Sequence, residues 1–379
     1  MTRYYSCDSH VVEPRHLFEG KSMEERFGDR APRFVRESRG RTGDFLMLPG
    51  APPVSIGRLG IAGNKLDDPN TDRLIELGYG GVNPGAADPA ERLKEQERDG
   101  IVGEVMYPSA NMWTFALTER DVVHEIFQRH NTWVAEYSSH APDRLIGIGC
   151  LPLPDVDEAV AELERAVALG VRGLAIPAAP PVDRPYHHPD YDPFWAAANN
   201  AGIPLTMHSF TGCDWNMGLP SGWGIPSIDI LGYTLQHAAV AASIANLIVH
   251  GVVEKYPNLK IVAAEFETGW VAHFKQRLDH AVYRARDRAS DTLSMKPSEY
   301  FDRNFWVTFE DDVQGLATRY DIGVANLLWG NDYPHHDSIW PNSMATLDRI
   351  MDGVPESEVE QMTFGNVVEL YDIDVDKLP

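Results

Sequence analysis

The sequence predicts an α/β chain folded as a (β/α)8, or TIM, barrel with a capping insertion after the first strand. Three observations predict it. Eight short apolar runs punctuate the 379 residues, and helical periodicity fills most of the spaces between them. The runs also end in polar or acidic residues, and such barrels carry their chemistry at the C-terminal ends of the strands.

The runs span residues 4–8, 101–107, 145–151, 171–177, 203–209, 259–265, 304–310 and 326–332. Between the third and fourth, 155–170 places Val156, Ala159, Val160, Leu163, Ala166 and Val167 on one helical face. Asp155 suits its N-cap and Gly170 its stop. Residues 193–202 repeat the pattern more briefly. Residues 230–256 read as one long apolar helix that stops at the Tyr256–Pro257 step.

Two connections exceed ordinary loop length. Residues 9–100 follow the first run and contain the stretch LPGAPPVSIGRLG; residues 210–228 follow the fifth and are rich in Gly, Trp and Pro. Both leave from C-terminal strand ends, so both are expected over the active face. Residues from about 14 to 98 are read as a cap within a single domain of 1–379. Trp215 and Trp223 in the second loop are candidates for substrate contact.

Composition narrows the function. A formal charge of −23 repels nucleic acid and anionic membranes, so neither is an expected partner. No run of about 18 apolar residues occurs, and the first ten residues have no apolar stretch of signal-peptide type, which leads to a cytoplasmic expectation. Cys7, Cys150 and Cys213 lack CxxC spacing, and the first two lie in apolar runs where a buried, inert thiol is the plain reading. Arg30, Arg33, Arg36, Arg39 and Arg41 cluster against the acidic background. Such a run is by default a solvated face. Its functional alternative is a handle for a substrate phosphate or carboxylate, with Arg33 and Arg36 as candidates.

The chemistry-bearing residues follow the runs. Asp8 and His10, at i and i+2, point to one side of a strand. Glu13 reaches the same site from the loop or stands in solvent. His208 ends the fifth run in PLTMHS, and Glu265 the sixth, where a charge after six largely apolar residues calls for a partner or a metal. Glu267 is the alternative donor two residues on. Glu310, Asp311 and Asp312 suit either the site or a helix cap. Asp332 ends the eighth run in a dense segment with His335, His336 and Asp337, between Trp329 and Trp340.

Taken together, DSHVVEP, PLTMHS, YPNLKIVAAE, WGNDYPH and the late GNVVELY resemble amidohydrolase family 2, in order and over nearly the whole chain. The resemblance implies metal ligands at Asp8, His10, His208 and Asp332. The family's decarboxylases and hydrolases commonly carry a histidine at the end of the sixth strand, where this chain has Glu265; His237 or His335 could substitute for it. DSHVVEP, AEFETGW and DYPHHDSIWP look closer to a branch of nonheme diiron monooxygenases of the platensimycin and platencin diterpenoid hydroxylase type.

The resemblance thus implies two Fe ions held by Asp8, His10, Glu13, His208, Glu265, Asp332 and His335. With them come O2, an electron donor, and an aliphatic acyl or acyl-CoA substrate. Catalytic candidates are His237, His335 and Asp337, and a homodimer is a further expectation. The alternative is a decarboxylase or hydrolase using one Zn or Mn. A third reading is a non-catalytic barrel that binds a ligand through its caps.

Overall fold

The computed structural model describes residues 3–213, 230–285 and 293–379. β1 (Tyr5–Val11) is buried along its whole length. The chain then makes an insertion whose strands β2 (Arg33–Ser38), β3 (Arg41–Met47) and β4 (Val54–Ser55) pair antiparallel in that order. It returns as β5 (Gly103–Pro108), β6 (Leu145–Gly147), β7 (Gly149–Cys150) and β8 (Leu174–Ile176). β9 (Pro204–His208), β10 (Lys260–Ala264), β11 (Phe305–Phe309) and β12 (Leu327–Trp329) complete the set.

Parallel pairing runs β1-β5-β6 and β7-β8-β9-β10-β11-β12. The Ile148 N–H donates to the Met106 carbonyl at 2.9 Å, so β6 and β7 are one strand position interrupted at 148. The eight apolar runs therefore become the eight walls of a TIM barrel. Continuous apolar runs suit such strands because both faces are covered, one by the barrel interior and one by helices.

The ring closes between β12 and β1 without a regular ladder. The N–H groups of Asn331 and Asp332 donate to the Asp8 carbonyl at 3.1 and 2.9 Å, and the His10 N–H donates to the Tyr333 carbonyl at 2.5 Å. Gly330 permits that approach, since a Cβ there would lie 2.3 Å from the Asp8 Cβ. β1 also runs past the expected end at Asp8. Its pairing with β5 shifts between Ser6 and Ser9, three steps on β1 against two on β5, so the ligand-bearing stretch is bulged.

The helix Val156–Ala168 buries Ala159, Leu163 and Ala166 against the barrel, while Val167 stays 37% exposed. Asp155 holds its N-cap position but makes no side-chain cap bond. The expected helix over 230–256 is three, Ile230–Leu235, His237–Val249 and Val252–Lys255. Gly251 at φ 76° breaks the last two apart. The insertion contributes Phe18, Leu46 and Val54 to an apolar cluster with Phe115 and Phe127. It also reaches the segment after β12, where the Ala62 N–H donates to the Pro334 carbonyl at 2.9 Å and Ala62 packs with Tyr333 and Trp340. Among the described residues, no helix is long and apolar enough to cross a membrane.

Candidate metal centre

Four strands bring five donors to one point. β1 supplies Asp8 and His10, β9 supplies His208, and the turns after β10 and β12 supply Glu265 and Asp332. His10 Nε2 lies 3.2 Å from Asp332 Oδ1, 3.7 Å from Glu265 Oε2 and 3.8 Å from Asp8 Oδ1. His208 Nε2 lies 3.3 Å from Asp8 Oδ1 and 3.4 Å from the same Glu265 oxygen. The groups that could hold an ion are Asp8, His10 and His208, and His10, Glu265, Asp332 and His335.

The surroundings aim these donors inward. His10 Nδ1 sits 3.0 Å from the Pro108 carbonyl and His208 Nδ1 3.1 Å from the Ser209 carbonyl. A carbonyl only accepts, so each Nδ1 carries the proton and each Nε2 presents a lone pair. Thr308 on β11 donates its hydroxyl to Asp8 Oδ2 at 2.7 Å and accepts the Glu265 backbone N–H at 2.8 Å, tying the Asp8 carboxylate to the backbone that carries Glu265. Glu265 and Asp332 both adopt left-handed backbone, φ 61° and 51°. Such conformations cost about 1–2 kcal/mol each and cluster at functional sites.

Three of these atoms, His10 Nε2, Glu265 Oε2 and Asp332 Oδ1, are buried and make no well-formed hydrogen bond, though His335 Nδ1 and His10 Nε2 both crowd the Asp332 oxygen. Buried polar atoms without partners are costly, and three converging on one another fit a divalent cation. Imidazole and carboxylate donors suit manganese, iron or zinc. Burial, then the nearby Asp332 charge, pushes the Glu265 carboxyl up to about 8. Burial also opposes ionisation of Asp332, but His335 and His10 outweigh it and hold that carboxyl well below its usual range. The cleft above is lined by Asp8, Glu265, Glu267, Glu310, Asp332 and Asp337, with Tyr233, Thr308, Phe309 and Gly330. Burial, then Asp312, raises Glu267 to about 7, and burial, then Asp332, raises Glu310.

Other expected site residues stand elsewhere. Glu13 is fully buried, but its carboxylate accepts the N–H groups of Ala110 and Asn111, both at 2.9 Å, and so caps the 3-10 helix after β5 instead of binding metal. His335 joins the cluster as a neighbour of a ligand. Its Nδ1 is 2.9 Å from Asp332 Oδ1, its Nε2 3.0 Å from Ser109 Oγ, and its ring stacks on His10 at 3.9 Å. His237 packs on Trp270, ring centres 6.2 Å apart. Asp337 is at the rim, accepting from the Tyr233 hydroxyl at 2.9 Å. Arg33 and Arg36 are exposed on β2, and Arg36 is bound to Asp44 at 3.0 Å and to the Glu76 carbonyl. Trp215 and Trp223 lie outside the described residues. Asp312 caps the helix Val313–Ala317 through the Gly315 N–H.

These positions give the two-iron expectation no support. Glu13 is spent on backbone N–H groups, and the two donor groups that remain share His10 and overlap at one place. Sequence reading missed Thr308 and Ser109. Thr308 stands two residues before Glu310, which places both on one strand face; nothing local marks Ser109.

Residues 83–373 match the model of a family described as amidohydrolase. Gamma-resorcylate decarboxylase of Rhizobium sp. (strain MTP-10005) is 28% identical over 281 residues, covering 69% of this chain and 83% of that protein. Two solved structures share the fold. An amidohydrolase from Mycobacterium avium subsp. paratuberculosis K-10 has a TM-score of 0.76 at 23% identity, covering 97% of this chain and 99% of that one. A dihydroxybenzoic acid decarboxylase from Polaromonas sp. JS666, with bound manganese and the inhibitor 2-nitroresorcinol, has a TM-score of 0.64 at 18% identity, covering 100% and 99%. These relatives are decarboxylases and an amidohydrolase, and they give the diiron branch no support.

Proposed function

Because the chain belongs to the amidohydrolase family, we propose that it is a metal-dependent carboxy-lyase that removes the carboxylate of a small, aromatic-type acid. One divalent ion, manganese or zinc, is held by Asp8, His10, His208 and Asp332, with Glu265 as a fifth donor. The observation that carries this reading is the trio of buried donor atoms, on His10, Glu265 and Asp332, that make no well-formed hydrogen bond. The decarboxylase relative and the manganese-bearing neighbour favour the reaction and the ion. When bound, such an ion polarises a coordinated oxygen of the acid and steadies the charge left as carbon dioxide departs.

The chain's residues divide the remaining work. The mouth carries six carboxyl groups, Asp8, Glu265, Glu267, Glu310, Asp332 and Asp337, crowded enough that the three glutamates are pushed up, and a cation held among them would offset their repulsion of an anionic acid. As the bond to the carboxylate breaks, its electron pair stays on the substrate carbon, which then takes a proton. His335 is the group placed to carry that proton: Asp332 engages Nδ1, leaving Nε2 to exchange with Ser109 and the site. It fills the role that a sixth-strand histidine has in the resemblance, and His237 on Trp270 does not.

The test is manganese-loaded protein incubated in D2O with 2,6-dihydroxybenzoate and related aryl acids. Release of carbon dioxide, with deuterium at the vacated carbon, is expected. His335→Gln should lose about 100-fold or more in kcat and keep its metal. Metal-replete protein that releases no carbon dioxide from any of these acids, yet hydrolyses esters or amides, would move the chain to the hydrolases.

A further inference from the structure

The metal donors are held by strands that meet at the weakest seam of the barrel. β1 is bulged where it carries Asp8, and its contact with β12 lacks a regular ladder. His10 nonetheless has to hold Nε2 within a few tenths of an ångström for an ion shared with Asp332. A charged side chain from the insertion lies under this seam.

Arg92, on the helix Pro89–Asp99, is completely buried. Its Nη1 donates to the His10 carbonyl at 2.7 Å and its Nη2 to Ser9 Oγ at 3.0 Å. Its Nε donates to Glu104 Oε2 on β5 at 2.5 Å, and Gln96 donates to the same oxygen at 2.8 Å. The guanidinium carbon stands 4.4 Å from the ring centre of Tyr333, the residue after Asp332. The Tyr333 carbonyl accepts the His10 N–H, and its hydroxyl donates to Glu95 on the helix of Arg92. One cation thus touches both ligand-bearing segments and β5.

From this geometry we infer that Arg92 is a positioning residue for the metal: it clamps β1 to the segment after β12 and fixes His10 against Asp332. The inference rests on the metal-dependent reading above but on no particular substrate. Arginine suits the task because its planar fork serves Glu104, the His10 carbonyl and Ser9 together, and lysine has one nitrogen to offer. Outer partners of metal ligands commonly alter affinity by about 10–100-fold.

The experiment is Mn2+ titration of purified full-length protein, followed by electron paramagnetic resonance of free and bound ion, with a melting curve for each variant. Arg92→Lys should weaken Mn2+ by about 10-fold or more and change the bound-ion spectrum. Ser9→Ala, which leaves every charge in place, should weaken it several-fold, and it decides the matter if Arg92→Lys does not fold. Leu163→Ala, buried under an outer helix, should lower the melting temperature with Mn2+ affinity unchanged. If Arg92→Lys or a folded Ser9→Ala loses only melting temperature, as Leu163→Ala does, and keeps wild-type affinity and spectrum, Arg92 is a structural residue alone. Wild-type protein that binds metal but acts on no acid overturns the proposed reaction and leaves this inference standing. Wild-type protein that binds neither manganese nor zinc overturns both.

Discussion

The two halves of the barrel are built on opposite economies. From β5 through β8 the wall is apolar apart from Glu104, with Tyr107, Cys150, Leu174 and Ile176 fully buried. From β9 round to β1 the rim carries the candidate metal donors, three left-handed carboxylate residues (Glu265, Glu267 and Asp332) and the three buried donor atoms without a hydrogen bond. The first half gains stability from removing apolar area from water, at about 25 cal/mol per Å2. The second spends stability on preorganised charge that only a cation can relieve. Stability and function therefore sit on different strands, and each can be perturbed with little effect on the other.

That separation makes predictions of decreasing size. His208→Ala removes one donor from the polar half and should weaken divalent metal by about 1000-fold, roughly a quarter of the binding free energy of a tight four-ligand site. The fold should persist; calorimetric titration and circular dichroism read the two quantities apart, and a variant that unfolds instead would break the comparison. Ile176→Ala, on the apolar half, should cost about 2–5 kcal/mol in denaturant unfolding while metal stoichiometry stays the same. Loss of metal there would show that the halves are coupled.

The smallest effect is a pH dependence, and its sign follows from raised acids. Desolvation and the neighbouring Asp332 and Asp312 charges push Glu265 up to about 8 and Glu267 up to about 7, against about 4.3 unfolded. Between roughly pH 4.5 and 8 the folded state binds more protons, so stability falls as pH rises. Metal-free protein kept in chelator should melt several degrees lower at pH 8 than at pH 5, and manganese should flatten the slope. A melting temperature that climbs with pH without metal would mean that these carboxyls are not under strain.

The apolar half was the more legible of the two. Runs such as 101–107 and 145–151 announce β5 and the β6–β7 position within a residue or two, because a strand buried on both faces has little choice of composition. In the polar half, Asp8, His10, His208, Glu265 and Asp332 were visible because charge after an apolar run needs a reason. What each carboxylate bonds was not visible. Glu13 and Asp8 look alike in sequence, but one meets two backbone N–H groups and the other meets His208 and Thr308. The arginines make the same point. The clustered ones are all exposed, on the first hairpin of the insertion and just before it, while isolated Arg92 is fully buried beneath the ligands. Spacing shows where charge is concentrated, and only packing shows which charge is enclosed.

The seam between β12 and β1 also sets an order of events in biogenesis. Ser6 and Asn331, which share a hydrogen bond there, are 325 residues apart in the chain. On a ribosome, Asp8 and His10 emerge early and wait for almost the entire barrel before Asp332 can join them. A contact of such long sequence separation forms late. No complete donor set exists until the last strand has docked, so a nascent chain cannot trap an ion in the finished geometry. On the proposed reading, the full donor set is offered only by a closed barrel.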